Sequence, residues 1–220
     1  PPRSTLFPYT TLFRSTLDDV HLWVKFEDWT EIIWEKYIDV SSKNDFERTH
    51  NTNQNIIEAF LVWEKKELNP KAREAILNSD YIIIWPWDFY TSIVPNLMFE
   101  GMKEALAKTS AKIIYVCNIM TKKWETTTYE LLDFIENIEK YAWEVIDYVL
   151  VNNWHISEEL VEKYKLEEWK KPVKLKDISI FDWKKYKIIE RDFVNESDVV
   201  RHDPVKLAQT IKDLTEWWIK

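Results

Sequence analysis

Three short apolar runs constrain this chain more than any other feature: Tyr81-Ile82-Ile83-Ile84, Ile113-Ile114-Tyr115-Val116-Cys117 and Tyr148-Val149-Leu150-Val151. Their ends fall 33 and 34 residues apart. Each run has the length of a strand, and each gap holds a stretch of helical period, roughly Pro95 to Lys108 and Tyr129 to Tyr141. An unbroken apolar strand buries both faces, and a gap of this length accommodates one crossover helix, so the pattern predicts a parallel sheet covered on both sides. The fold class is therefore α/β, a doubly wound, mostly parallel sheet of the Rossmann-like kind. Ligands of such sheets sit at the carboxyl ends of the strands near a topological switch point, which places a candidate site after Ile84, Cys117 and Val151 without any motif.

Other elements fit around this frame. Val20, Leu22, Val24 and Phe26 alternate with polar positions, and Glu27-Asp28-Trp29-Thr30 leads into Ile32 and Ile33, which predicts a small β-hairpin at the start. Asn69-Pro70 supplies the N-cap and first position of a helix from Pro70 to Asn78. Thr127 and Glu130 read as a capping box for the second crossover helix. After Val151 we expect a helix from Ser157 to Glu168, short strands near Val173 and Lys187, and a last helix from Pro204 to about Trp217 capped by Asp203. Residues 1–15 repeat Thr-Leu-Phe, share no periodicity with the rest of the chain and resemble translated sequencing-adapter sequence, so they are set apart as non-native. Residues 16–220 are read as the C-terminal part of a single domain.

Turn chemistry is where the sequence departs from expectation. The chain has 13 Trp and 1 Gly, and the two counts together match the roughly 15 glycines that ordinary usage gives a chain of this length. The tryptophans also stand where glycine is expected: Asp28-Trp29 and Asp182-Trp183 between strand-like runs, Asn153-Trp154 after a strand, Pro86-Trp87 in a tight loop. We therefore read most of them as glycine positions, as arises where UGA encodes glycine but is rendered as tryptophan. Trp217 and Trp218, side by side near a helix end, are the exceptions expected to be genuine. A Trp-rich glycan-binding surface is the other reading, but its aromatics would share one face rather than follow turns.

Charge and cysteine usage exclude several classes. A formal charge of −8 repels phosphate backbones, so nucleic acid is not an expected partner. The single Cys117 lies within an apolar run, which excludes a disulfide framework and fits a cytoplasmic protein. No stretch approaches the roughly 20 apolar residues that span a bilayer, so no membrane association is expected. His21, His50, His155 and His202 lack zinc-type spacing, and no nucleophile-elbow or phosphate-loop motif is present.

The candidate site residues lie on the strand-end loops. With glycine at positions 85 and 87, the loop Trp85-Pro86-Trp87-Asp88-Phe89-Tyr90-Thr91-Ser92 would let its backbone approach a phosphate before entering a helix N-terminus, with Thr91 and Ser92 as hydroxyl donors. A plain strand-to-helix turn is the alternative, and as written the indoles of Trp85 and Trp87 would fill the phosphate space. Asn118 and Asn152 come after the next two strands, as ligand contacts or as turn residues. Arg201, just before the capped final helix, is poised either for a bidentate contact to a diphosphate or for a surface ion pair to Asp198 or Asp203.

Together, Ile84 to Gly101, Tyr115 to Thr121 with Glu125-Thr126, Asp147 to Asn152 and Val200-Arg201-His202-Asp203 closely resemble the YvcK family of CofD-like proteins, over essentially all of Thr16 to Lys220. The segment Ser15 to Val20 resembles the same family's entry into its mid-chain hairpin. The resemblance implies a CofD-like fold that binds a nucleotide sugar, UDP-N-acetylglucosamine in the YvcK branch, with roles in gluconeogenic growth and cell shape. Ligand contacts then fall on the 85–92 loop, Asn118, Tyr164 and Arg201. No catalytic residue or protein-held metal is implied for this branch, although magnesium could accompany the nucleotide, and a homo-oligomer is compatible with the reading. The CofD branch instead transfers a phospholactyl group to a deazaflavin, which makes a 2-phospho-L-lactate transferase the alternative. Two departures matter. The family's glycine-rich N-terminal half has no counterpart here, and its retained loop glycines are written as tryptophan.

Overall fold

The computed structural model describes residues 14–33, 54–62, 66–167, 169–175, 184–196 and 200–216. In chain order the strands and helices are β1 (His21–Phe26), β2 (Glu31–Ile33), β3 (Ile56–Val62), α1 (Pro70–Leu77) and β4 (Tyr81–Ile84). A π-helical turn (Phe89–Ile93) runs directly into α2 (Val94–Leu97), followed by α3 (Met102–Lys108), β5 (Lys112–Val116), α4 (Leu131–Ala142), β6 (Tyr148–Asn152) and α5 (Glu158–Glu167). The chain continues through β7 (Lys187–Arg191), β8 (Val194–Glu196), β9 (Val200–His202) and α6 (Pro204–Glu216).

The three apolar runs are adjacent parallel strands, and β7 joins them as a fourth in the order β4-β5-β6-β7. Alternate residues of one strand feed different cores. Ile113 and Tyr115 pack in the cluster that holds Leu131, Phe134, Ile135 and Ile138 of α4, a stripe at helical spacing. Ile114 and Val116 pack with Leu150, Phe193 and Leu207 of α6 on the other side. Both faces are therefore covered, as continuous apolar strands require. No described helix is long and apolar enough to cross a membrane.

The predicted hairpin is present as β1 and β2, and β3 completes an antiparallel sheet in the order β2-β1-β3. Tyrosine hydroxyls fasten this small sheet to the crossover elements. Tyr90 and Tyr129 both donate to the Ile56 carbonyl, at 3.0 and 3.2 Å, and the Tyr141 hydroxyl accepts from the Ala59 amide at 2.9 Å. Tyr90 is thereby anchored within the turn behind the strand-end loop.

Several local expectations are corrected. The stretch expected as one helix over Pro95 to Lys108 is broken: α2 ends at Leu97 with Met98 as its C-cap, and α3 starts after its N-cap Gly101, which sits at a left-handed φ of 89°. The capping box of α4 is formed by Glu130 and Asp133 instead of Thr127 and Glu130. Thr127 faces the preceding turn, its hydroxyl accepting from the Trp124 amide and donating to the Gln54 carbonyl. Val173 lies in no strand; an isolated bridge joins Met120 to Pro172, and the Val173 amide donates to Ile119. Asn69 caps α1, and Asp203 Oδ1 caps α6 by accepting from Val205 and Lys206. Glu168, Trp183, Trp217, Trp218 and Asp198 lie outside the described residues. Arg14 and Ser15 are described, and both give backbone carbonyls to Asn69.

The tryptophans sort by backbone conformation. Among the described residues the non-glycine positions of positive φ are Trp29 (70°), Trp124 (64°), Trp143 (65°) and Trp169 (56°), and no other residue type shares that region with Gly101. A bulky side chain there costs of order 1–3 kcal/mol, which glycine avoids. Trp23, by contrast, is extended in β1 and packs on Phe60 at 6.1 Å between ring centroids. Trp85, Trp87 and Trp154 do not adopt positive φ, so no left-handed strain marks them.

Candidate functional site

At the carboxyl ends of β4 and β5 lies a cleft of about 680 Å³, within the usual range for a small-molecule site. It brings together Trp85, Asp88, Asn118, Tyr164 and Arg201, five of the nine residues singled out from the sequence. Asn152 lines a neighbouring hollow of about 420 Å³ that shares Asn118 and Ile119 with the first. Trp87, Thr91 and Ser92 line neither. The cleft stays open with Trp85 on its wall, while Trp87 stands 60% exposed.

The loop after β4 enters a π-helical turn capped at Asp88, whose carbonyl accepts from the amides of both Ser92 and Ile93. The amides at the start of that turn, Phe89 to Thr91, precede these bonds. Trp87 gives its carbonyl to Asn118 Nδ2 at 3.0 Å, tying the β4 and β5 loops together. Asn152 is spent locally: Oδ1 accepts from the Phe193 amide at 3.0 Å, and Nδ2 donates to the Trp154 carbonyl at 3.0 Å. Tyr164 is buried on α5, and its hydroxyl accepts from the Val200 amide at 3.1 Å, holding β9 against the helix.

Sequence reasoning missed the charged floor of the cleft. Lys122 Nζ lies 3.0 Å from Asp88 Oδ2 and 2.7 Å from Glu125 Oε1. Glu125 is fully buried, and desolvation pushes its carboxyl up to about 7 despite the opposing pull of Lys122. Lys170, another wall residue, lies 5.8 Å from the Tyr164 ring centroid. On β9, Arg201 is exposed, and the neighbouring Asp203 is engaged in capping α6. His202 beside it is held to the Cys117 carbonyl at 3.1 Å, and burial lowers its pKa to about 4. No sequence spacing signals these encounters, since Cys117 and His202 are 85 residues apart.

The lining carries three cations, Lys122, Lys170 and Arg201, in a chain of net charge −8; Lys122 is balanced by Asp88 and Glu125, so the positive excess comes from Lys170 and Arg201. Such a concentration suits an anionic ligand. No group of three His, Cys, Asp or Glu side chains that could hold a metal occurs among the described residues. A magnesium ion here would depend on ligand oxygens, with Asp88 as the cleft-lining carboxylate able to approach it.

With this geometry in place, comparison with known proteins is informative. The family model for 2-phospho-L-lactate transferase CofD matches residues 3–194. A putative gluconeogenesis factor from Thermotoga maritima is 38% identical over 151 residues, covering 67% of this chain and 48% of its own length. The gluconeogenesis factor of Bacillus subtilis is 35% identical over 163 residues, with 73% and 51% covered. The putative gluconeogenesis factor of Thermoanaerobacterium thermosulfurigenes is 35% identical over 208 residues, with 91% and 60% covered. A crystal structure of a UPF0052-family protein from Bacillus halodurans superimposes with a TM-score of 0.77 at 28% identity, covering 90% of this chain and 60% of that one. The chain spans about half to three-fifths of the length of these relatives.

Proposed function

Because the chain belongs to the CofD family, we propose that its strand-end cleft binds a nucleotide sugar of the UDP-N-acetylglucosamine kind, and that the protein acts as a regulator of gluconeogenic growth and cell shape without turning its ligand over. The relatives named gluconeogenesis factors support the regulatory side of this reading. The observation that carries the ligand class is the lining itself: Lys170 and Arg201 add positive charge beside the Lys122–Asp88–Glu125 cluster in an otherwise acidic chain. A diphosphate satisfies such a set, and a guanidinium grips it bidentately where an ammonium cannot. Calorimetric titration with UDP-N-acetylglucosamine tests the reading; saturable binding supports it, and no binding at millimolar ligand defeats it.

A second reading is a 2-phospho-L-lactate transferase-type enzyme, favoured by the name of the matching family and by Asp88 in the cleft. Magnesium would then supply charge neutralisation on the nucleotide, while the chain's own cations orient the phosphates. Phosphorus NMR separates the two readings. A regulator leaves the sugar nucleotide with magnesium unchanged over hours, whereas release of a nucleoside monophosphate or diphosphate establishes turnover.

A further inference from the structure

Two acceptors stand beside the cations of the cleft, on His202 and Asn118. His202 lines it from β9, with Nε2 3.1 Å from the Cys117 carbonyl oxygen at the end of β5. A carbonyl oxygen only accepts, so Nε2 carries the proton and Nδ1 keeps its lone pair. Among the described residues nothing pairs with Nδ1. Burial keeps the ring neutral near pH 7, with a pKa of about 4. One residue beyond Cys117, Asn118 donates Nδ2 to the Trp87 carbonyl, which fixes the orientation of the amide. Its Oδ1 is buried without a hydrogen-bond partner among the described residues. A buried acceptor in this state is unusual and marks a place where a donor is expected.

Resting on the nucleotide-sugar reading, we propose that His202 is a specificity residue of the cleft, its Nδ1 and the Oδ1 of Asn118 accepting from a pair of ligand hydroxyls while the cations hold the phosphates. The division of labour is chemical. Cations cannot accept a hydrogen bond, and a second carboxylate would repel the diphosphate, so a neutral imidazole and an amide carbonyl suit a polyol beside an anion. The hydroxyls belong to the ribose or to the hexose, since both carry vicinal pairs.

Calorimetry on wild type, His202→Phe and His202→Gln with three probes tests this: UDP-N-acetylglucosamine, uridine diphosphate, and inorganic pyrophosphate read as a competitor. His202→Phe should weaken UDP-N-acetylglucosamine roughly tenfold and leave pyrophosphate unchanged. His202→Gln, whose amide both donates to Cys117 and accepts, should recover most of the loss. A loss shared by uridine diphosphate assigns the hydroxyls to the ribose, and one confined to the sugar nucleotide assigns them to the hexose; both support the proposal. Equal weakening of all three probes would reduce His202 to a structural strut, and unchanged affinities would remove it from the site, so either result overturns the proposal. Should His202→Phe melt markedly lower than wild type, His202→Met, closer in shape and flexible, takes its place with the same expectations. Wild type that binds none of the probes defeats the nucleotide-sugar reading and this proposal together, whereas wild type that binds with indifferent variants defeats this proposal alone.

Discussion

The two walls of the strand-end cleft hold their charges differently. On the β4–β5 side, Lys122 is clasped by Asp88 and by the buried Glu125, so its position is fixed by the protein. On the β9 side, Arg201 projects without an ion pair to the neighbouring Asp203, whose carboxylate is engaged in capping α6. A cation held by two carboxylates stabilises the fold that holds it, whereas Arg201, without an ion pair among the described residues, can turn to a ligand. One cleft thus has a structural wall and a receptive wall.

Substitutions should separate these roles. Lys122→Met leaves Glu125 buried without its cation, and breaking a pair of this sort costs about 3–5 kcal/mol, the largest effect expected here. Chemical denaturation should show that loss. Arg201→Ala should leave the melting temperature within a degree or two yet weaken nucleotide-sugar affinity by roughly ten- to a hundredfold, with Arg201→Lys recovering only part. A large stability loss on Arg201→Ala, or none on Lys122→Met, would erase the distinction between the walls.

Acid–base behaviour sharpens the same contrast. The folded pKa of Glu125 is raised to about 7 from 4.5, so the native state binds the extra proton and stability falls as pH rises through that window. His202 is lowered to about 4 from 6.5; there the unfolded state binds the extra proton, and stability falls as pH drops through the window. Each contribution amounts to at most about 3 kcal/mol, and the two oppose one another where the windows overlap. Glu125→Gln should therefore unmask the acid-side loss due to His202, and His202→Gln should unmask the decline toward neutral pH due to Glu125. Urea unfolding at pH 5, 6 and 7 reads both slopes.

Much of this architecture is local in origin, which is why the sequence announces it. The strands at 81–84 and 148–152 are short apolar runs, and Asn69 and Asp203 cap through their own side chains. What stayed hidden depends on distant contacts. The helix expected after Pro95 ends at Leu97, restarts after Gly101, and is preceded by a π-turn whose Tyr90 is pinned by the Ile56 carbonyl. β3 is an apolar run whose place in the small sheet depends on pairing with β1. At the site, the strand ends predicted the location, but Lys122, Lys170 and His202 enter it through the tertiary fold. Asn152, read as a ligand contact or a turn residue, holds the turn at Trp154 and the Phe193 amide while lining the neighbouring hollow.

The left-handed tryptophans give the smallest expected effects and a contrast of their own. Trp29 is 72% exposed at φ 70°, so Trp29→Gly removes strain at the loss of only an exposed cation–π contact, Lys25 Nζ 4.1 Å from the ring centroid, and should stabilise by up to about 1 kcal/mol. Trp124 is only 7% exposed at φ 64°, and the cavity left by its indole should cancel that gain. Thermal melts of the two variants compare them directly, and codons for glycine positions in the gene, UGA in place of UGG, would account for the pattern.

The parallel sheet offers one further contrast, between its two ends. Its amino-terminal end carries a hollow of about 450 Å³ lined by Thr109, Lys112 and Asp147, at the opposite end of β5 and β6 from the strand-end loops. An amide NMR titration with UDP-N-acetylglucosamine reads both ends at once. The account predicts saturable shifts confined to residues 85–88, 118–122 and 200–202; shifts centred on Thr109, Lys112 and Asp147, or none at millimolar ligand, would contradict it.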